Sequence, residues 1–379
     1  MRVYFDNAAT TQLAPQVLEE MLPYLSENFG NPSSIHTHGR EAKTAVERAR
    51  KQVASILNTS PSEIFFTSGG TEADNTAIIS SVRTLGIQHI ITSHIEHHAV
   101  LHTIEYLERR KEIKVHYVKT DQYGTIVWSD LERLLSANPK SLVSLMHGNN
   151  EIGNINDIYR ISCLCQEFGA IFHSDTVQTI GHYPFDLSTV SPHYLVASAH
   201  KFHGPKGVGF LYKDASISID PILFGGAQER NMRGGTENVA SIVGMAKALD
   251  LVTNQMKEDK AYIIDLKKKT IALLQQEIPE IKFNGLSDNI DNSLYTVLNI
   301  QLPIDGMGDM LLFNLDIHQI SVSAGSACSS GTNIGSHVLQ QILDEEQINA
   351  SIRISFSKYN TFEEVTYLVQ KLKEICQNE

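Results

Sequence analysis

From residue 60 to about 215, short apolar runs alternate with longer stretches of helical period, a pattern that predicts a mainly parallel β-sheet with crossover helices. Strands are predicted over 63–67, 89–92, 114–118, 142–146, 170–173 and 194–198, with another over 208–212. Between them, 71–84 and 155–168 carry apolar residues three and four apart, the spacing of a helix with one buried stripe. Beyond residue 245 the pattern changes to a long polar helix rich in Lys and Glu over 245–280, a strand over 295–300 and a closing helix over 363–376. The chain therefore reads as a large α/β domain over 15–255 and a smaller α+β C-terminal domain over 256–379, joined by the N-terminal segment 1–14. No internal repeat interrupts it.

Composition narrows the function classes. A chain of 379 residues with 42% hydrophobic content can bury a large core. Its 31 Lys and Arg against 43 Asp and Glu leave a net charge of −12, a poor match for nucleic acid or an anionic membrane. Four cysteines, Cys163, Cys165, Cys328 and Cys376, are too few and too unevenly spread for a disulfide framework, so a reducing cytoplasm is expected. Neither a secretory leader nor a run of 18 apolar residues is visible, and no membrane association is expected.

Ligands of open parallel sheets sit outside the carboxyl ends of the strands, so the residues after each run carry the chemistry. Ser68-Gly69-Gly70-Thr71-Glu72 is a glycine turn feeding a helix start, where free N–H groups and the helix dipole favour a phosphate. A plain glycine turn is the alternative. His94, His98 and His102 are spaced i, i+4, but the HExxH order is absent and no cysteine pair lies nearby, so zinc is disfavoured. A ring stacked on a flat ligand or a helix-capping histidine remain as readings of this segment. Asn149-Asn150 after Gly148 can hydrogen-bond a ring oxygen or form an ordinary turn. Asp175 ends a strand in an apolar setting and needs a cation or a helix to cap, and Gln178 follows it. Lys201, in Ala199-His200-Lys201, follows a buried strand, where desolvation and nearby cations lower a lysine pKa and make it a nucleophile. A phosphate site, a carboxylate for a pyridinium nitrogen and an imine-forming lysine are together what pyridoxal 5'-phosphate (PLP) requires.

At that point the chain resembles a known family, the NifS/IscS-type cysteine desulfurases of the class V aminotransferases. The motifs that carry the likeness are Asp6-Asn7-Ala8-Ala9-Thr10-Thr11, Gly30-Asn31-Pro32-Ser33-Ser34, Thr67-Ser68-Gly69-Gly70-Thr71-Glu72, Glu96-His97, Asn149-Asn150-Glu151-Ile152-Gly153, Ala199-His200-Lys201 and Met232-Arg233-Gly234-Gly235-Thr236. The resemblance implies the PLP-dependent transferase fold of type I. It implies that Lys201 carries the cofactor and moves protons, Asp175 pairs with the pyridinium nitrogen, His97 stacks on the ring, and Gln178 and Asn150 reach the ring hydroxyl. Gly70, Thr71, Ser198 and His200 would hold the phosphate. Thr236 would reach the phosphate from the other subunit of a homodimer.

One thiol distinguishes this branch. Cys328 lies in Ser321-Val322-Ser323-Ala324-Gly325-Ser326-Ala327-Cys328-Ser329-Ser330-Gly331-Thr332, a Gly/Ser setting expected of an exposed mobile loop rather than a core. Cys163 and Cys165, by contrast, fall in a helical apolar stretch and are expected in the core. Ser351-Ile352-Arg353-Ile354-Ser355-Phe356 reads as a strand with an outward arginine whose planar fork suits a carboxylate. By resemblance Arg353, with Asn7 assisting, binds L-cysteine, the sulfur passes to Cys328 as a persulfide, and alanine leaves. The persulfide would then go to an acceptor protein, an iron-sulfur scaffold or a tRNA-thiolation protein. A selenocysteine lyase or an aminotransferase of the same fold is the alternative, and a non-catalytic adaptor is the more distant one.

Overall fold

The computed structural model describes all residues except 191, 305–308, 325–334 and 378–379. Its centre is a seven-stranded sheet in the order Ile64–Thr67, Gly209–Lys213, Tyr194–Ser198, Ile171–Asp175, Leu142–Ser144, His89–Thr92, Lys114–Tyr117. Five of these strands pair in parallel from Tyr194–Ser198 outward, each reached through a crossover. Gly209–Lys213 alone runs against its neighbours, pairing antiparallel with Tyr194–Ser198 and with Ile64–Thr67. The reason is loop length. The connection between Ser198 and Gly209 holds a single turn of 3-10 helix, Ala199–Lys201, which is too short for the crossover that a parallel partner needs.

Helices cover both faces. Gly70–Leu85 and His98–Arg109 pack with Ile78, Ile90 and Leu142, whereas Thr37–Ile56 and Val239–Asn254 enclose Phe66, Leu195 and Phe210. The expected single helix over 245–280 is two, Val239–Asn254 and Met256–Glu277, broken at Gln255 (φ −102°, ψ 1°). The pattern changes there: the first is buried on most sides, the second buries only a stripe containing Ile263, Leu266 and Leu274. Of the two cysteines in Ile158–Phe168, Cys165 is buried, while Cys163, expected in the core, is exposed. Two residues turn a helix by about 200°, so the two thiols cannot share a face.

The C-terminal part builds a three-stranded antiparallel sheet, Ser351–Ser355, Val297–Gln301, Lys282–Phe283, under the helices Met256–Glu277 and Phe362–Gln377. The N-terminal segment joins this sheet to the larger one. Val3–Tyr4 pairs in parallel with Ile320–Ser321, Phe5 packs edge-on against Phe356 with ring centroids 5.7 Å apart, and Ser355 N donates to Phe5 O at 2.7 Å. A few residues later Thr11 N donates to His200 O at 2.8 Å and Ala14 N to His203 O at 3.0 Å. Residues 6–10, which turn where Ala9 N and Thr10 N donate to Asp6 O, thus cross the carboxyl end of the large sheet.

Candidate active site

A cavity of about 500 Å³ opens where those strands end. At its phosphate-sized corner the 16-residue helix Gly70–Leu85 starts after Gly69, whose φ of 150° is open to glycine and costly for other residues, and no side chain caps it. Its first amides and positive dipole end are therefore available to an anion. A methyl group on Gly70 would stand 2.8 Å from Val177 Cγ2, so glycine here keeps the approach clear. Thr71, Ser198, His200 and Lys206 line the cavity too, and His200 Nδ1 lies 3.2 Å from Thr10 Oγ1.

Deeper in, Asp175 closes the strand Ile171–Asp175. Burial pushes its carboxyl up to about 6, against the Val177 N–H that it accepts at 2.9 Å and the charge of Lys201. Two further acids are wholly buried. Glu96 is pushed up to about 8 by burial, and Asp74, which lines the cavity with its carboxyl 3.2 Å from His173 Nε2, is raised well above the usual range by burial and by the charges of Asp175 and Glu96. At neutral pH Glu96, at about 8, is mostly protonated, whereas Asp175, at about 6, is ionised. A planar cation placed there completes the pair that its burial lacks.

His97 caps the helix His98–Arg109 and also lines the cavity. Its Nδ1 accepts from Ala99 N at 3.1 Å, which leaves the ring proton on Nε2. Burial, then the positive charge of Lys201, holds its pKa down to about 4, so the ring is neutral at pH 7. His337, which the sequence did not single out, lines the cavity with the same tautomer: Nε2 must donate to the Glu96 carbonyl at 2.8 Å, because a carbonyl can only accept.

Lys201 ends the short turn after Tyr194–Ser198. Its Nζ donates to the carbonyls of Ala8 at 2.6 Å and Ala9 at 2.9 Å, and Gln178 Nε2 donates to the same Ala8 O at 2.9 Å. The N-terminal segment thereby holds both side chains against the cavity wall. Of the asparagine pair, Asn150 lines the cavity, while Asn149 is structural: its amide donates to Ile95 O and its carbonyl accepts from Glu151 N and Ile152 N.

On the opposite wall stands Arg353, 2% exposed at its side chain. The outward arginine expected from the strand pattern instead points inward, because the face of Ser351–Ser355 that carries it is covered by the 149–151 turn and by Asp6. Nη1 donates to Asn150 O at 2.9 Å and Nη2 to Asp6 Oδ1 at 2.7 Å. Asn7 does not line the cavity. Its amide donates to Ser355 O at 2.8 Å and Asn360 Oδ1 at 3.1 Å, so it ties the N-terminal turn to the small sheet. Thr236 is exposed and outside this chain's cavity, and Cys328 lies outside the described residues. Asp74 and Glu151 are cavity-lining acids that the residue pattern did not mark, and Asp6 reaches Arg353 without lining the cavity; Asp6 and Glu151 stand inside the quoted motifs, but nothing local says where their carboxylates point.

The profile of the Aminotransferase class-V family matches residues 3–368. A cysteine desulfurase IscS of Clostridium botulinum is 43% identical over 378 residues, covering 99% of this chain and 94% of the relative. A putative cysteine desulfurase IscS 1 of Bacillus subtilis is 41% identical over 379 residues, covering 99% and 98%. Among solved structures, a NifS-like protein superposes with a TM-score of 0.91 at 38% identity over all of both chains, and SspA in complex with cysteine with 0.79 at 32% identity, covering 95% of this chain and all of that one. Proteins of this family work with PLP. The lining fits that group: an uncapped helix start for its phosphate, an ionised buried Asp175 for its ring nitrogen, the flat His97 for its ring face and Lys201 within the same cavity. Fold, cavity and full-length similarity agree that the chain belongs to the class-V aminotransferase family, in its NifS/IscS cysteine desulfurase branch.

Proposed function

We propose that this chain is a PLP-dependent cysteine desulfurase that converts L-cysteine to L-alanine and leaves the sulfur as a persulfide on Cys328. The observation that carries this reading is a single cavity with a cofactor wall, Asp175, Lys201 and the start of Gly70–Leu85, facing a buried guanidinium, Arg353. A cavity of that kind selects a small amino acid by its carboxylate.

When bound, the cofactor supplies an electron sink for the carbanion formed at Cα. Arg353 would hold the carboxylate and so set which Cα bond faces Lys201. Lys201 Nζ would take the Cα proton and return it. His97 would lie over the ring and present Nε2–H, Gln178 and Asn150 would serve the ring hydroxyl, and Gly70, Thr71, Ser198 and His200 the phosphate. The Cys328 thiolate would attack the substrate sulfur, the S–S bond forming as the Cβ–S bond breaks, with the bond's electron pair left on the carbon skeleton that is then protonated to alanine.

The same reading assigns residues 15–255 to a cofactor-binding domain and 256–379 to a smaller one. It makes the protein a cytoplasmic homodimer, in which the exposed Thr236 serves the partner's site, and gives the persulfide to an acceptor protein of iron-sulfur assembly or tRNA thiolation. Among the described residues no helix is long and apolar enough to cross a membrane.

Replacing Cys328 by Ala tests the reading. Purified protein with PLP and L-cysteine should yield alanine and protein-bound sulfur, and Cys328→Ala should lose both while still changing the absorbance of the cofactor when L-cysteine is added. Unchanged sulfur release by the variant would reject Cys328 as acceptor, and amino transfer to a keto acid as the main reaction would favour an aminotransferase.

A further inference from the structure

Asp6 takes no part in the chemistry above, yet it is the counter-ion of the arginine on which that chemistry depends. Its Oδ1 accepts from Arg353 Nη2 at 2.7 Å and from Ser323 Oγ at 2.8 Å. The backbone is held as firmly: Asp6 bridges to Ser355, and Ser323 bridges to Arg353. Asp6 O also accepts from Ala9 N at 3.0 Å and from the Tyr4 hydroxyl at 3.1 Å. Three segments far apart in sequence, around residues 6, 323 and 353, thus converge on one carboxylate oxygen.

A guanidinium has five N–H donors. In Arg353 one goes to Asp6 and one to Asn150 O, while Nε is buried and has no hydrogen-bond partner among the described residues. A long arginine side chain with one anchor can swing. With anchors on both terminal nitrogens it is held in one orientation at the cavity, and each terminal nitrogen keeps a second N–H.

We propose that Asp6 is a positioning residue for substrate recognition: it clamps one edge of the Arg353 guanidinium so that the remaining terminal N–H donors meet the carboxylate of the incoming amino acid. This rests on the reading of the cavity as an amino-acid site. What matters is the acceptor oxygen at that position, so an amide in place of the carboxylate keeps most of the function and a methyl group does not. Ser323, donating to the same oxygen, supports the clamp from behind.

The test uses the full-length protein loaded with PLP and follows the cofactor absorbance during titration with L-alanine and, separately, with cysteamine, an amine that lacks the carboxylate. Asp6→Ala should raise the apparent Kd for L-alanine about 10- to 100-fold, the scale of one charge-assisted hydrogen bond. The Kd for cysteamine should stay at the wild-type value, and so should the spectrum before titration. Asp6→Asn should recover most of the L-alanine affinity. Equal L-alanine binding by Asp6→Ala, an equal loss for both amines, or an Asp6→Asn as weak as Asp6→Ala would each overturn the proposal. If Asp6→Ala does not retain the cofactor, Ser323→Ala decides: a rise of about threefold or more for L-alanine alone supports the clamp, and no change refutes it. A wild-type protein that responds to neither L-alanine nor L-cysteine would instead refute the amino-acid site.

Discussion

The two walls of the cavity are made in different ways. The cofactor wall is local: Asp175, Ser198 and Lys201 each follow directly from a strand of the large sheet, and Gly70 from the turn after Ile64–Thr67. The wall opposite is assembled from segments with little in common along the chain, since the Asp6–Arg353 contact spans 347 positions and Ser323–Asp6 spans 317. The strands Ile171–Asp175 and Tyr194–Ser198 are paired on both sides, so Asp175 and Ser198 keep their places without the second wall, while Lys201 and Gln178 also lean on Ala8 and Ala9. The second wall depends on the small sheet, the N-terminal segment and the 149–151 turn meeting correctly. Cofactor binding and substrate recognition should therefore fail separately under mutation.

Lys201→Ala strikes the first wall and has the largest expected effect. Alanine formation should fall by at least about 10³-fold, because the group that moves the Cα proton is gone, and the visible spectrum of the cofactor should change even without substrate. Arg353→Lys strikes the second. A point charge replaces a planar fork, so KM for L-cysteine should rise about 10- to 100-fold while the spectrum of the resting protein stays as it is. A changed resting spectrum in this variant would mean that the walls are coupled.

Asp175→Asn separates stability from cofactor binding. The Asp175 carboxyl in the folded, cofactor-free protein sits at about 6, above its ordinary 3.8, so folding is penalised by its ionisation. That penalty is absent below pH 4, grows as pH rises toward 6 and is constant above. Thermal unfolding without PLP should therefore show Asp175→Asn gaining on the wild type between pH 4 and pH 8, by about 2 to 3 kcal/mol, while its affinity for PLP falls. A gain that did not depend on pH would assign the effect to packing. The smallest change is expected from Asn7→Ala, which removes two hydrogen bonds behind the cavity and should cost about 1 to 2 kcal/mol of stability, with little movement in KM. A large rise in KM would return Asn7 to the substrate site.

The difference between the walls also decided what could be read from the residues. Apolar runs marked every strand of the large sheet, and the polar residues just past them marked Gly70, Thr71, Asn150, Asp175, Ser198 and Lys201, all of which line one cavity. Arg353 stood out as a candidate to bind a carboxylate, but its burial did not, because a strand of alternating pattern does not say what covers its faces. Asn7 was expected to assist at the substrate; its amide bonds Ser355 and Asn360, while its neighbour Asp6 reaches Arg353, and only the tertiary partners tell the two apart. The break at Gln255 and the reversed strand Gly209–Lys213 escaped for related reasons: both depend on how neighbouring elements pack.

Hydrophobic period and strand-end chemistry belong to short stretches of chain, and so the order of the strands' residues, the glycine turn before Gly70–Leu85 and the identity of Lys201 and Asp175 follow from the residues alone. Ion pairing and tautomer choice belong to the folded molecule. Whether Glu96 or Asp175 keeps its charge depends on burial in the folded molecule, and which proton His337 carries and which carboxylate holds Arg353 depend on distances of about 3 Å between residues hundreds of positions apart. Those distances exist only once the N-terminal segment has crossed from the small sheet to the turn at Lys201.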